Sequence, residues 1–299
     1  MEQHFGTIPE VPFCDALVSY GKEKQRHNPE GYDGTARYRL QFLLDRFEGM
    51  SLSDINLRVI QDFAEERFSK VKEGTVQREL ATLKAILNKS HREGRLQLVP
   101  PFPKMRKQTG RNRWLTIDEE KLLLAVSAKH LQPLIAFAID TGGRRSELLK
   151  LDWRNVYLER ELVTFLKTKN GENRSLRLTN RARTVLIDLG PKEFGPVFLF
   201  RGKAIKDPKT SFNRARTKAG IEDLRFHDLR HTFASRLVQQ GVPLYEVMHL
   251  TGHKSVSMVQ RYAHLAPDYQ SRAIEALNSY GHNLGTVSSV PCVLKQLSH

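Results

Sequence analysis

The chain has 299 residues, and its 48 Lys and Arg against 33 Asp and Glu leave a formal net charge of +15. That length fits two domains of ordinary size, and a basic surplus running through both halves points to a polyanion, nucleic acid first, and away from a membrane-surface protein with one basic helix or tail. A 39% hydrophobic content argues against a disordered chain; Cys14 and Cys292 alone make neither a disulfide framework nor a cysteine zinc site; and no apolar run is long enough to span a bilayer. The expectation is a soluble, unsecreted, cytoplasmic protein, nucleoid-associated in a bacterium, with no membrane partner.

Taken in order, the segment 35–47 sets Tyr38, Phe42, Leu43 and Phe47 at helical intervals and ends at Gly49, which predicts a first amphipathic helix. Ser53 and Asp54 suit a turn or cap, and 57–68 and 75–90 repeat the helical period, with Gly74 and Gly94 as punctuation. The N-terminal part, 1–98, therefore reads as a small all-helical bundle. Its third helix carries Lys72, Arg78, Lys84, Lys89 and Arg92, facing either phosphates or water. Residues 99–113, VPPFPKMRKQTGRNR, hold three prolines that bar a helix and basic residues that resist burial. This reads as an extended basic linker, either the joint of a clamp around a duplex or a plain surface connector.

A second domain over 114–283 opens on TIDE, a capping-box signature at Thr116 to Glu119 ahead of an apolar run. A helix over 131–140 runs into TGGRRSELLKLDW, and the strand-like stretches 162–166 and 175–178 flank Asn170 and Gly171 as a β-hairpin. Further helices are expected over 180–189, 209–218, 229–239, 244–249, 256–261 and 269–280. Residues 284–299 are small, polar and weakly periodic, and read as a tail that is disordered or orders on a partner.

Cleaving a phosphodiester requires a nucleophile, cationic donors for the non-bridging oxygens, and an acid for the departing oxygen. Guanidinium suits the phosphate because it is planar, stays charged and donates paired hydrogen bonds. Arg144, after Gly142 and Gly143, and Arg230 are the candidates, with Arg145 a rival to Arg144. Glu147, in the same helical turn, either orients an arginine or is solvated. In HDLRH, His227 and Arg230 lie one helical turn apart and share a face; His231 beside them reads as a polar neighbour. His253, after Thr251 and Gly252, is either a helix cap or a phosphate donor. Tyr262, in QRYAHL, is either packing or a nucleophile; a phenol of ordinary pKa near 10 would need cations and a proton acceptor close by. Lys169 at the hairpin either reaches the leaving oxygen or covers a strand edge. The sequence has no acidic cluster for paired Mg²⁺, no phosphate-binding GxxxxGK[ST] loop and no HExxH zinc helix. A covalent route without metal or cofactor is the expectation.

These motifs, in this order and over nearly the whole length, resemble the tyrosine recombinases, or phage integrase family. TGGRRSELLKLDW resembles the first arginine motif and assigns the catalytic arginine to Arg144; HDLRH gives His227 and Arg230, LTGH gives His253, and QRYAHL gives the nucleophile Tyr262. Matching NRSLRL to the family pattern puts the catalytic lysine at Lys169, with Lys167 as the alternative. Gly143 departs from the pattern, standing where the family often has a larger apolar residue, which implies looser local packing. The implied fold is mainly α with a small β-sheet: an all-helical N-terminal core-binding (SAM-like) domain and a mixed α/β catalytic domain of the DNA breaking-rejoining type. The implied reaction is site-specific recombination of double-stranded DNA, through a 3′-phosphotyrosyl bond and a Holliday junction. Implied partners are a homotetramer on two DNA sites, exchanging C-terminal segments, and accessory DNA-bending or directionality factors. Relaxation of one duplex by type IB topoisomerase chemistry and a catalytically silent DNA binder are the competing readings.

Overall fold

Helix α1 (Phe13–His27) lies upstream of the stretch expected to open the fold, and buries Phe13, Ala16, Leu17 and Gly21 along one stripe. With only two large apolar residues in that stripe, followed by the charged run KEKQRH, the periodicity is faint in the sequence. The computed structural model describes residues 10–29, 32, 34–105, 112–166, 173–267 and 269–281. Lys167, Lys169 and the expected turn at Asn170 and Gly171 lie outside them, as do Cys292 and the tail 284–299. The chain divides into two units, Met1–Thr109 and Gly110–His299.

In the first unit α1 is joined by α2 (Gly34–Arg46), α3 (Leu57–Lys70) and α4 (Glu73–Arg92). The Oδ1 of Asn56 caps α3 by accepting from the Val59 amide at 3.2 Å. The rings of Phe13, Phe47 and Phe63 meet at 5.2 and 5.4 Å in the core. Arg67 and Glu79, both largely buried, tie α3 to α4 through two hydrogen bonds of 2.9 and 2.8 Å. Val99, Phe102 and Met105 pack against this same core, so the prolines at 100, 101 and 103 shape a docked segment. On α4, Lys89 is held by Glu23 and Glu93, Arg78 donates to the Gly74 carbonyl and Lys84 lies over the Phe102 ring.

The second unit begins with α5 (Ile117–Val126), where Thr116 and Glu119 exchange the two hydrogen bonds of a capping box. Next come α6 (Gln132–Thr141), α7 (Arg145–Leu149), and an antiparallel sheet β1 (Val156–Tyr157), β2 (Leu162–Phe165) and β3 (Arg174–Arg177) in that spatial order. The expected hairpin is β2–β3, registered with Phe165 opposite Arg174 and Val163 opposite Leu176. The third strand β1 and the short hairpin β4 (Leu199–Phe200) with β5 (Lys203–Ala204) were not expected, because two-residue strands carry no alternation to read. Helix α8 (Asn180–Asp188) precedes β4, and α9 (Lys209–Lys218), α10 (Asp228–Gln239), α11 (Leu244–Thr251), α12 (Val256–Val259) and α13 (Tyr269–Gly281) follow β5. Tyr262 lies in a 3₁₀ segment, Gln260–Leu265, after α12 and not at the end of an α-helix over 256–261. The core is built on Leu123, Leu134, Phe137, Leu148, Val163, Phe165 and Leu229; a smaller cluster of Ala234, Val238, Val247, Met248 and Val259 surrounds Tyr262. Among the described residues no helix is long and apolar enough to cross a membrane.

Candidate active site

Two left-handed glycines bring the site together. Gly142 ends α6 at φ +59°, and a Cβ there would stand 2.4 Å from the Phe233 ring of α10, so glycine alone lets these helices approach this closely. The approach puts the Gly142 carbonyl within 2.8 Å of Arg230 Nη1. Gly252 ends α11 at φ +65°, and a Cβ there would meet the Arg174 side chain at 3.0 Å. Gly143 needs its missing side chain for a different reason. A Cβ would lie 2.7 Å from Leu148 and 3.3 Å from Phe165, so Leu148 fills the space a larger residue would take, and the looser packing expected from this departure is not present.

Three arginines converge on the last carbonyls of α11. Arg230 donates to the Thr251 carbonyl, Arg144 to Gly252 at 2.6 Å, and Arg174 to Leu250. The C-terminal end of a helix carries partial negative charge, which suits cations placed there. Arg230 is only 2% exposed and Arg174 8%. Glu147, equally buried, stands between two of them: its carboxylate accepts from Arg144 Nη1 at 2.5 Å, from the Arg144 amide at 3.0 Å and from Arg174 Nη2 at 2.8 Å. Burial alone would raise the Glu147 pKa; Arg174 and then Arg144 outweigh it and hold the group below its ordinary value, hence ionised. Arg145 turns the other way, exposed and paired with Asp207 at 3.2 Å.

Burial, then the positive charge of Arg144 and Arg174, lowers Arg230 to about 9, which still leaves it charged at neutral pH. The same causes act on the imidazoles. His253 falls to about 3 through burial, then Arg230 and Arg144, and is neutral. Its tautomer follows from its partner: the Thr251 hydroxyl donates to the Val247 carbonyl at 2.5 Å, so His253 Nδ1 donates to Thr251 Oγ1 at 2.6 Å. Nε2 is then bare, 3.4 Å from Arg230 Nη2. His227, exposed at the rim where α10 begins, is also lowered, first by the water it loses on its inner side and then by Arg230. Three guanidiniums, one carboxylate and two neutral imidazoles leave an excess of two positive charges in a half-sheltered space, which is the electrostatic signature of an anion site.

Tyr262 is 2% exposed. Burial raises its pKa above the ordinary value, with Arg261 and Arg230 pulling the other way, so the phenol is protonated. It hydrogen-bonds Nδ1 of His231, itself buried, and the His231 ring meets the His227 ring edge-on at 5.0 Å. The structure thus gathers Arg144, Arg230 and His253 directly, places Tyr262 against α10, sets His227 on the rim, and leaves Lys169 outside the described residues. Two participants were missed. Arg174 occupies an inward position of β3, alternating with Leu176, and an arginine on the apolar face of a strand was the available signal. His231 carries no such signal, because a histidine one residue past Arg230 points to another face of α10.

Residues 113–268 match the model of the phage integrase family. The integrase of Salmonella phage P22 is 29% identical over 92% of this chain and 81% of its own length. A shufflon-specific DNA recombinase of Escherichia coli is 32% identical over 86% and 70%. Among solved structures, the Tn1549 transposon integrase with circular intermediate DNA superposes with a TM-score of 0.73 at 17% identity, covering 89% of this chain and 99% of that one. A lambda integrase tetramer bound to a Holliday junction gives 0.71 at 18% identity, covering 85% and 77%. At these identities the two structures speak for the fold.

Proposed function

Because the chain belongs to the phage integrase family of tyrosine recombinases, we propose that the site around Arg144 and Arg230 holds a scissile DNA phosphate and that Tyr262 attacks it. The carrying observation is the excess of two positive charges among two buried arginines and the half-buried Arg144, beside a buried phenol. A phosphodiester monoanion offsets part of that excess. Arg144 and Arg230 exchange contacts with the carbonyls of Gly252, Thr251 and Gly142 for contacts with non-bridging oxygens, and so stabilise the charge that builds up as phosphorus becomes five-coordinate. Glu147 keeps Arg144 aimed. A phosphate also counters the field that lowers His253 and His227, so both gain protons more readily and donate to the same oxygens.

Tyr262 forms the 3′-phosphotyrosyl bond, and Lys169 in the β2–β3 connection protonates the departing 5′ oxygen. The 5′-hydroxyl of a second strand reverses the step, and the bond energy kept in the ester makes a nucleotide cofactor unnecessary. The all-helical unit serves as the core-binding domain on one face of the duplex and the second unit as the catalytic domain. Recombination on two sites fits a homotetramer, strand exchange through a four-way junction, and a cytoplasmic location. Phosphotyrosyl trapping tests the reading: a nicked duplex bearing the repeats that flank the coding region, incubated in EDTA, yields a covalent adduct with the wild type and none with Tyr262→Phe. Undiminished adduct from Tyr262→Phe removes Tyr262 from the reaction.

A further inference from the structure

The Tyr262 phenol must lose a proton as its oxygen becomes a phosphate ester, and its buried hydroxyl already contacts an imidazole. On the reading of Tyr262 as the nucleophile, we propose that His231 is the base that takes this proton, through Nδ1. His231 hydrogen-bonds the phenol oxygen through Nδ1, and the two rings lie 5.8 Å apart between centroids. The other two imidazoles are less suited. Nδ1 of His253 is committed to Thr251 and its Nε2 lies against the Arg230 guanidinium. His227 is on the rim and meets the edge of the His231 ring, not the phenol.

The step balances. With His231 carrying its proton on Nε2, Nδ1 takes the phenolic proton, the phenolate oxygen bonds to phosphorus, the bond from phosphorus to the 5′ oxygen breaks, and that oxygen takes a proton from the separate acid. In the return direction the imidazolium gives its proton back to the departing tyrosine oxygen. Charged groups around His231 decide when this runs. On α10 they are His227, Asp228 and Arg230; on the 3₁₀ segment, Arg261 and Tyr262; beyond α11, His253; and α11 itself carries Tyr245, Glu246 and His249, all exposed. Helix α6, also packed on α10, brings Asp140, which is held by Arg181 and Thr179. An imidazolium at His231 beside Arg230 is unfavourable until a phosphate contributes negative charge, so proton transfer is tied to DNA occupancy.

A buried histidine could equally serve only to satisfy the phenol, and the experiment separates the two roles. Single-turnover cleavage of the nicked duplex is measured with the full-length wild type, His231→Ala and His231→Asn; asparagine keeps a hydrogen-bond acceptor for the phenol but has no basic nitrogen. The expected result is DNA binding at wild-type affinity with cleavage slowed about 10²- to 10⁴-fold in both variants, partly restored in His231→Ala by added imidazole. The deficit persists on a duplex with sulfur in place of the bridging 5′ oxygen, because a departing thiolate needs no acid, whereas a Lys169→Ala deficit shrinks there. His231→Asn cleaving at the wild-type rate, or a deficit that vanishes on the sulfur duplex, overturns the proposal. Tyr262→Phe is run alongside: adduct from that variant sinks the nucleophile assignment, while its silence with normal His231→Asn cleavage removes His231 alone.

Discussion

Replacing Glu147 by Gln removes the carboxylate that contacts both Arg144 and Arg174 while keeping shape and one acceptor. In the wild type this carboxylate is 7% exposed, receives hydrogen bonds of 2.5 and 2.8 Å from the two guanidiniums, and caps the Arg144 amide. Deleting one partner of a buried, hydrogen-bonded charge pair costs about 3 to 5 kcal/mol, because the other charge stays buried without compensation. Here two guanidiniums are left and a third, Arg230, lies close enough to repel them, so the upper half of that range applies. For a unit of this size each kcal/mol moves Tm by about 2 to 4 °C, so Glu147→Gln melts roughly 8 to 20 °C lower. Calorimetry at neutral pH measures it. A pH series adds a check of sign: the Glu147 pKa is depressed below 4.5 in the folded chain, so its contribution is full above that value and is lost as pH falls through the depressed one. The gap between wild type and variant must therefore narrow in acid. A Tm drop under about 2 °C, or a gap that widens in acid, refutes the account of Glu147 as the counter-charge.

Arg144→Ala and Arg230→Ala each lose about 10²- to 10³-fold or more in cleavage, as for removal of a preorganised donor, with much smaller losses in gel-shift affinity; equal losses in both would assign them to binding alone. Gly142→Ala forces a Cβ to 2.4 Å from Phe233 at φ +59°, and Gly143→Ala one to 2.7 Å from Leu148; overpacking of this kind costs about 1 to 3 kcal/mol, with a further 1 to 2 kcal/mol or so for the left-handed backbone of Gly142, so denaturant melts should rank Gly142→Ala the less stable. DNA binding weakens by about 10³-fold or more between roughly 50 and 200 mM salt if six or more phosphates are neutralised; a flat titration contradicts a phosphate-reading surface.

Most of the helices were legible from residue order, because amphipathic periods, caps and glycine stops are local physics: the capping box at Thr116 and Glu119 and the ends of α9 at Lys209 and Lys218 need no tertiary partner. The polar residues that build the site were legible as motifs, since each sits in a short stretch with its own spacing. Helix α1 and the two-residue strands escaped because a short stripe or a single pair of residues carries too little pattern. What the sequence could not decide is which of several equivalent cations turns inward. Arg144 and Arg145 are neighbours of one type, and only the left-handed turns at Gly142 and Gly252, with the carbonyls they present, draw Arg144 toward Glu147 while Arg145 goes out to Asp207. Arg174 is 27 residues from Glu147 and 76 from Leu250, and His231 is 31 from Tyr262; pairings at that separation depend on how α6, α10, α11 and the sheet pack. Local sequence therefore determined the elements and the chemical inventory. Tertiary packing decided the charge balance, the protonation states and the partner of the buried tyrosine, because burial and neighbouring charge exist only once the chain is folded.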